Sequence, residues 1–131
     1  MFRCRGLALL SICLISAASL AAEPTWESRD GSFKVTYESE LQPHVINRIH
    51  SWTLNVTDAA GTPVEGAVIT VDGGMPIHDH GLPTQPRVTN EVAPGRYVLE
   101  GVRFHMPGSW ELVVTIESGD VRDAVVIVLD L

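Results

Sequence analysis

The chain predicts an all-β protein, an immunoglobulin-like antiparallel β-sandwich of about seven strands preceded by a signal peptide. Three observations point there. Runs rich in Val, Ile, Thr, Tyr and Trp alternate apolar with polar residues, and Gly, Pro and Asp interrupt them at intervals of roughly 8 to 12 residues. No stretch beyond the leader keeps a helical period. Both cysteines, Cys4 and Cys13, fall inside the leader, so the rest of the chain must be held by its own core and not by disulfides.

The leader spans residues 1–22. Arg3 and Arg5 give it a positive start, Leu7 to Leu20 is an apolar run broken only by serines and a cysteine, and Ser19-Leu20-Ala21 offers small residues at the positions a signal peptidase inspects. Cleavage is expected after Ala21 or Ala22. The run is short for a membrane span, which needs ~20 apolar residues, and Ile12 is too bulky to precede a lipoprotein cysteine at Cys13. The expectation is an exported bacterial protein, periplasmic or otherwise extracytoplasmic, with no stable membrane span after cleavage. Residues 23–131 form the mature part, about 110 residues, which is room for one domain with one core.

Glu23 to Gly31 reads as a polar, loosely held lead-in. Phe33, Val35 and Tyr37 alternate on one face of the first strand, and Trp52, Leu54 and Val56 on one face of the second. Asp58 to Pro63 supplies a turn. Val68 to Asp72 is a third strand, ended by Gly73-Gly74. Gly74 to Pro86 holds three prolines and no strand pattern, and reads as a long loop. Arg87 to Thr89 is a short strand or edge piece. Gly95 to Phe104 is another strand, with Gly101 interrupting its alternation as a bulge would. Trp110, Leu112, Val114 and Ile116 mark the sixth, Ser118-Gly119-Asp120 a hairpin turn. Val121 to Leu131 is apolar on both faces from Val125 to Leu129, as a central strand would be.

The chain has 9 basic and 16 acidic residues; without Arg3 and Arg5 the count is 7 against 16, a net charge of −9. That disfavours nucleic acid and anionic lipid as partners and suits a soluble protein that attracts cations loosely.

Two short segments concentrate metal-type donors: Met75-Pro76-Ile77-His78-Asp79-His80-Gly81 and Phe104-His105-Met106-Pro107-Gly108. With no cysteine in the mature part, a metal site is restricted to His, Met, carboxylate and backbone. Imidazole with thioether suits copper, Cu(I) above all, whereas zinc prefers more His, Cys or carboxylate. The candidate ligands are Met75, His78, His80, His105 and Met106, with Asp79 able to orient an imidazole. If the backbone is extended at 78–80, both imidazoles share a face. Each residue also has a plainer reading. Met75 and Met106 can be core or gap-filling residues, His105 can hydrogen-bond backbone in a corner, and the prolines and glycines can simply shape turns. His44 reads as exposed and His50 as flanking a strand, both apart from the cluster.

The same segments carry a family resemblance. Met75-Pro76-x-His78-x-His80-Gly81-Leu82-Pro83-Thr84-Gln85-Pro86-Arg87-Val88 and Gly95-Arg96-Tyr97-x-x-Glu100-Gly101-Val102-x-Phe104-x-Met106-Pro107-Gly108-x-Trp110-Glu111-Leu112 resemble the YtkA-like domain, over roughly residues 45 to 131. That family is similar to FixH-type proteins. The resemblance implies a β-sandwich outside the cytoplasm and, through FixH-type relatives, a link to metal handling or oxidase assembly. Met75, His78, His80 and Met106 match the motif, while His105 falls at a variable position. The cleavable leader differs from the lasting anchor of FixH-type proteins, which weakens the oxidase-assembly link. The mature N-terminus lacks the histidine that CopC-type copper carriers use.

Two function classes follow. The first is a periplasmic copper-binding or copper-delivery module working with copper-trafficking or oxidase-assembly proteins. The second is an exported protein-interaction module without metal. An enzyme is not expected. There is no thiol nucleophile, Ser109 and Ser118 lack a triad context, Glu100 and Glu111 sit at strand positions facing solvent, and no phosphate-binding glycine loop is present.

Overall fold

The alternating runs become strands whose inward positions are closed to solvent. In the computed structural model, which describes residues 24–131, the strands are β1 (Trp26–Glu27), β2 (Phe33–Ser39), β3 (His50–Asp58), β4 (Val68–Met75), β5 (His80–Gly81), β6 (Arg87–Ala93), β7 (Arg96–Val102), β8 (Ser109–Ser118) and β9 (Val121–Asp130). The expected leader, with its expected cleavage point and both cysteines, lies outside the described residues. All pairings are antiparallel.

Seven of these strands have seven or more residues. One sheet orders them β2-β3-β7-β6 and the other β4-β8-β9, joined at one side by the single pair Thr70↔Arg87. Counting the long strands alone, the first sheet takes the first, second, fifth and fourth, and the second sheet the third, sixth and seventh. That is the order of an immunoglobulin constant-type sandwich.

The sequence has no cysteine for the cross-sheet disulfide that antibody domains place between their second and sixth strands. Here those strands, β3 and β8, carry Trp52 and Trp110, both fully buried. Phe104 lies between them, its ring centroid 6.3 Å from Trp52 and 5.3 Å from Trp110. Tyr37 stacks on Trp52 at 4.0 Å. Aromatic packing thus joins the sheets where a covalent link would otherwise stand.

The turns follow their sequence chemistry. Asp58 Oδ1 accepts from the amides of Ala60 and Thr62, and Ser118 pairs with Val121 around Gly119, whose φ is 58°. The bulge falls where Gly101 was expected to place one. Leu99 and Val102 pair with Trp52 and His50, so that Glu100 and Gly101 stand against Ser51 alone, and Gly101 has φ 85°.

Two expectations change. The lead-in is ordered from Trp26, because β1 pairs with β2 and the following turn is tied to β9. Asp123 of β9 is 6% exposed. It accepts hydrogen bonds from Asp30 N at 3.0 Å, Ser32 N at 3.3 Å and Ala124 N at 2.8 Å, and from the Ser28 hydroxyl. And β9 is an edge strand, not a central one. Of its outward residues, Val126 is partly buried beside Val113 of β8, while Val128 is 50% exposed. Its free edge is partly covered by the bond from Arg29 N to Ala124 O, and Arg122 and Asp130 flank it as edge charges.

Burial alone would raise the Asp123 pKa, but the four hydrogen bonds outweigh it and pull the carboxyl down from 3.8 to about 2. The ionised form is therefore favoured by folding. Its contribution is complete above the unfolded value and is lost as pH falls toward the folded one. Asp123→Asn should cost about 2 kcal/mol at neutral pH. Thermal unfolding followed between pH 7 and pH 2 should show the gap between wild type and variant narrowing below roughly pH 4.

Candidate metal centre

The two donor-bearing segments meet at one pole of the sandwich. β3 starts there, β4 and β7 end there, and β8 starts there, because antiparallel neighbours reverse direction. β4 does not stop at Gly73-Gly74 but runs on to Met75, with Gly73 opposite Leu112 and Gly74 opposite Glu111. The two glycines permit close approach instead. A Cβ on Gly73 would lie 2.6 Å from Glu111 O, and one on Gly74 2.5 Å from His80 O. The expected long loop is in part a tight hairpin. Pro76–His78 forms one 3-10 turn, Asp79 adopts a left-handed φ of 52°, and β5 folds back on β4 with Met75 opposite His80.

The backbone at 78–80 is therefore not extended, yet the two imidazoles still share a face. Their rings stack with centroids 5.8 Å apart at 14°. Asp79 achieves this through its backbone; Asn and Asp are the residues that tolerate that conformation. His105 arrives from the other segment, its ring 5.1 Å from that of His80. A metal held by two imidazoles at ~2.1 Å from each nitrogen puts ring centroids roughly 5 to 6 Å apart, so this spacing fits one shared ion.

His80 Nδ1 and His105 Nδ1 are both buried, and neither has a hydrogen-bond partner in the protein. The plainer reading of His105, a corner residue bonding backbone, does not hold for this nitrogen. A buried unsatisfied polar atom costs ~1–3 kcal/mol, and two of them on facing rings are unusual in a folded protein. Trp110 backs both rings edge-on, with centroids 5.3 Å from His105 and 6.1 Å from His80.

Each of the two segments also carries a thioether. Met75 is 2% exposed and belongs to the core. Its methyl would lie 2.6 Å from a Cβ on Gly108, whose φ is 128°, so Gly108 leaves room for it. Met106 is partly buried against the core, and its carbonyl accepts the Trp110 indole N–H at 3.0 Å. The gap-filling reading of both methionines is thus satisfied by the packing. Among the described residues no group of three or more His, Cys, Asp or Glu side chains is placed to hold a metal ion. What the fold brings together is a row of three imidazoles, His78, His80 and His105, of which His78 is exposed to solvent, with Met75 opposite His80 in the β4–β5 pairing. An open groove of ≈ 540 Å³ runs beside the pole, lined in part by Asp72, Asp79 and Glu111 together with Met75 and His80.

Two histidines set apart by the sequence reading also sit at this pole. His44 is not exposed but half-buried. It lies against Trp52 at 5.7 Å and Phe104 at 5.6 Å, and its Nδ1 is buried without a partner. Burial, and next the neighbouring His50, hold its pKa below the usual histidine value. His50 is buried, with both nitrogens engaged. Nδ1 lies 3.1 Å from Arg48 O, and Nε2 accepts the Trp52 indole N–H at 3.0 Å. That fixes the Nδ1-protonated tautomer and makes His50 a structural residue. The signal in sequence was the two-residue spacing from His50 to Trp52, which puts both on one strand face.

No helix among the described residues is long and apolar enough to cross a membrane. Neither the curated proteins nor the solved structures returned a match to the chain. A family model does match, described as YtkA-like, over residues 26–115. It begins some way before the motif-bearing segments and takes in β1 to β3, so the likeness extends to the sandwich as well as to the donor loops. With most of the chain matched and an immunoglobulin-like sandwich beneath it, this protein belongs to the YtkA-like family.

Proposed function

We propose that the pole binds Cu(I) and that the protein is an extracytoplasmic copper-binding or copper-delivery module, without enzymatic activity of its own. The observation that carries this reading is the pair of buried, partnerless Nδ1 atoms on His80 and His105, whose rings lie 5.1 Å apart. A metal ion would satisfy both at once. His80 and His105 supply the nitrogens, and Met75 and Met106 the sulfurs.

The donor set favours copper over zinc. Zinc sites are closed by three or four His, Cys or carboxylate ligands, and such a group is absent among the described residues. Thioether needs no deprotonation and imidazole only has to be neutral, so soft Cu(I) can be held at ordinary pH. The acidic groove beside the pole would raise the local cation concentration. The leader read in residues 1–22 and the family's character support a periplasmic setting, with copper-trafficking or oxidase-assembly proteins as partners.

Titration of the purified protein with Cu(I) under reducing conditions, in competition with a chromophoric Cu(I) chelator, tests the reading. The expected result is binding of about one ion per chain with a dissociation constant well below micromolar. Binding no tighter than micromolar would return the pole to the second reading, a docking surface without metal.

A further inference from the structure

The three imidazoles at the pole are not equivalent, and the difference assigns them separate tasks. His80 and His105 each turn one nitrogen into the protein. His78 is exposed and sits on the outer side of the 3-10 turn, beside Ile77, which is 83% exposed. The rings form a row. His78 lies 5.8 Å from His80, and His80 lies 5.1 Å from His105. His80 belongs to both pairs.

We infer that His78 is a transit ligand, through which a soft monovalent ion enters and leaves the inner site by exchange with an incoming donor. The inference rests on the copper reading and deepens it. An ion passed from His105 to His78 by way of His80 would change one donor at a time. It is therefore never released as the free ion, and no bare soft cation has to be desolvated or resolvated. The His80–His105 spacing lies in the range a shared ion requires, roughly 5 to 6 Å between ring centroids, and the nearly parallel His78 ring stands next in the row, 5.8 Å from His80. No redox step is involved: one imidazole or thioether donor replaces another, and the ion keeps its charge.

The surroundings of His78 fit an acceptor protein more than a storage role. Pro76 and Ile77 are exposed beside His78 on the same turn and give it an apolar rim; Pro83 and Pro107 are exposed as well. Such a rim suits a transient contact that excludes water while ligands exchange. The partner it fits is another soft-metal protein, one with an exposed thioether, thiolate or imidazole donor on an apolar surface.

The test separates affinity from rate. Wild type, His78→Ala and His80→Ala are loaded with Cu(I). Equilibrium affinity is measured by competition with a bidentate chromophoric chelator, and transfer to excess chelator is followed by stopped flow. His78→Ala is a change at an exposed position, so the fold is retained and circular dichroism checks it. The expected result is an affinity for His78→Ala within about a factor of three of wild type, with transfer slowed roughly tenfold or more, an effect of the size that changes around a metal's ligands produce. Equal transfer rates in wild type and His78→Ala would overturn the transit role alone. So would an affinity loss in His78→Ala as large as that in His80→Ala, since His78 would then be a resident ligand. If wild type takes up no Cu(I), the copper reading itself fails, and the transit role fails with it.

Discussion

Replacing His80 or His105 by Leu should make the protein more stable while removing its affinity for Cu(I). The two effects share one cause. Each imidazole presents a buried Nδ1 with no partner in the protein, and an unsatisfied buried polar atom costs ~1–3 kcal/mol. Leucine has similar bulk, keeps contact with Trp110, and leaves nothing unsatisfied. A gain of about 1 kcal/mol per site is expected, after allowance for imperfect packing, which raises Tm by roughly 4 to 8 °C in a domain of this size. Loss of a ligand should weaken Cu(I) binding by more than the ~10–100-fold that disturbing a ligand's support produces. Differential scanning calorimetry of the metal-free proteins and chelator competition read the two effects separately. A stability loss on both substitutions, with Cu(I) binding retained, would mean that these nitrogens have some other task.

Trp110→Ala should be the most damaging single change in the molecule. The indole is fully buried, packs on Phe104 at 5.3 Å, backs His80 and His105, and donates to Met106 O at 3.0 Å. Truncation leaves a large cavity between the sheets and should cost ~3–5 kcal/mol, a Tm fall of at least ~12 °C. Trp110→Phe is the informative partner. It keeps most of the aromatic packing but deletes the bond to Met106, at a cost of ~1 kcal/mol for the hydrogen bond. If that bond holds the second segment in register with His80, the phenylalanine variant stays folded and binds Cu(I) more weakly. Urea denaturation and metal competition on the same samples distinguish loss of fold from loss of register. Unchanged Cu(I) affinity in Trp110→Phe would confine Trp110 to a packing role.

Much of the fold could be read in advance because a half-buried strand imposes a period of two on its own sequence. Phe33 and Val35, Trp52 to Val56, and Trp110 to Ile116 all bury the faces their alternation marked. The turn at Asp58 and the bulge at Gly101 were equally local, set by side-chain chemistry and by the one residue type at ease with positive φ. Errors arose where the deciding neighbour was remote. Apolar faces on both sides of β9 suggested a central strand, but the strand lies at an edge and Val128 of its outer face is 50% exposed. Gly73-Gly74 looked like a terminator, because the carbonyls of Glu111 and His80 that require glycine there belong to other strands.

The sequence by itself determined the inventory: an all-β domain without thiols, and imidazole and thioether donors grouped in two segments. Period, composition and spacing are local properties, so a linear reading reaches them. Only the tertiary structure decided that the rings of His80 and His105 lie 5.1 Å apart, that His78 is exposed, that Met75 is core, and that His44 and His50 share the same pole. Those relations depend on which strand ends the sandwich topology brings together, and the chain states that only through contacts between residues far apart along it.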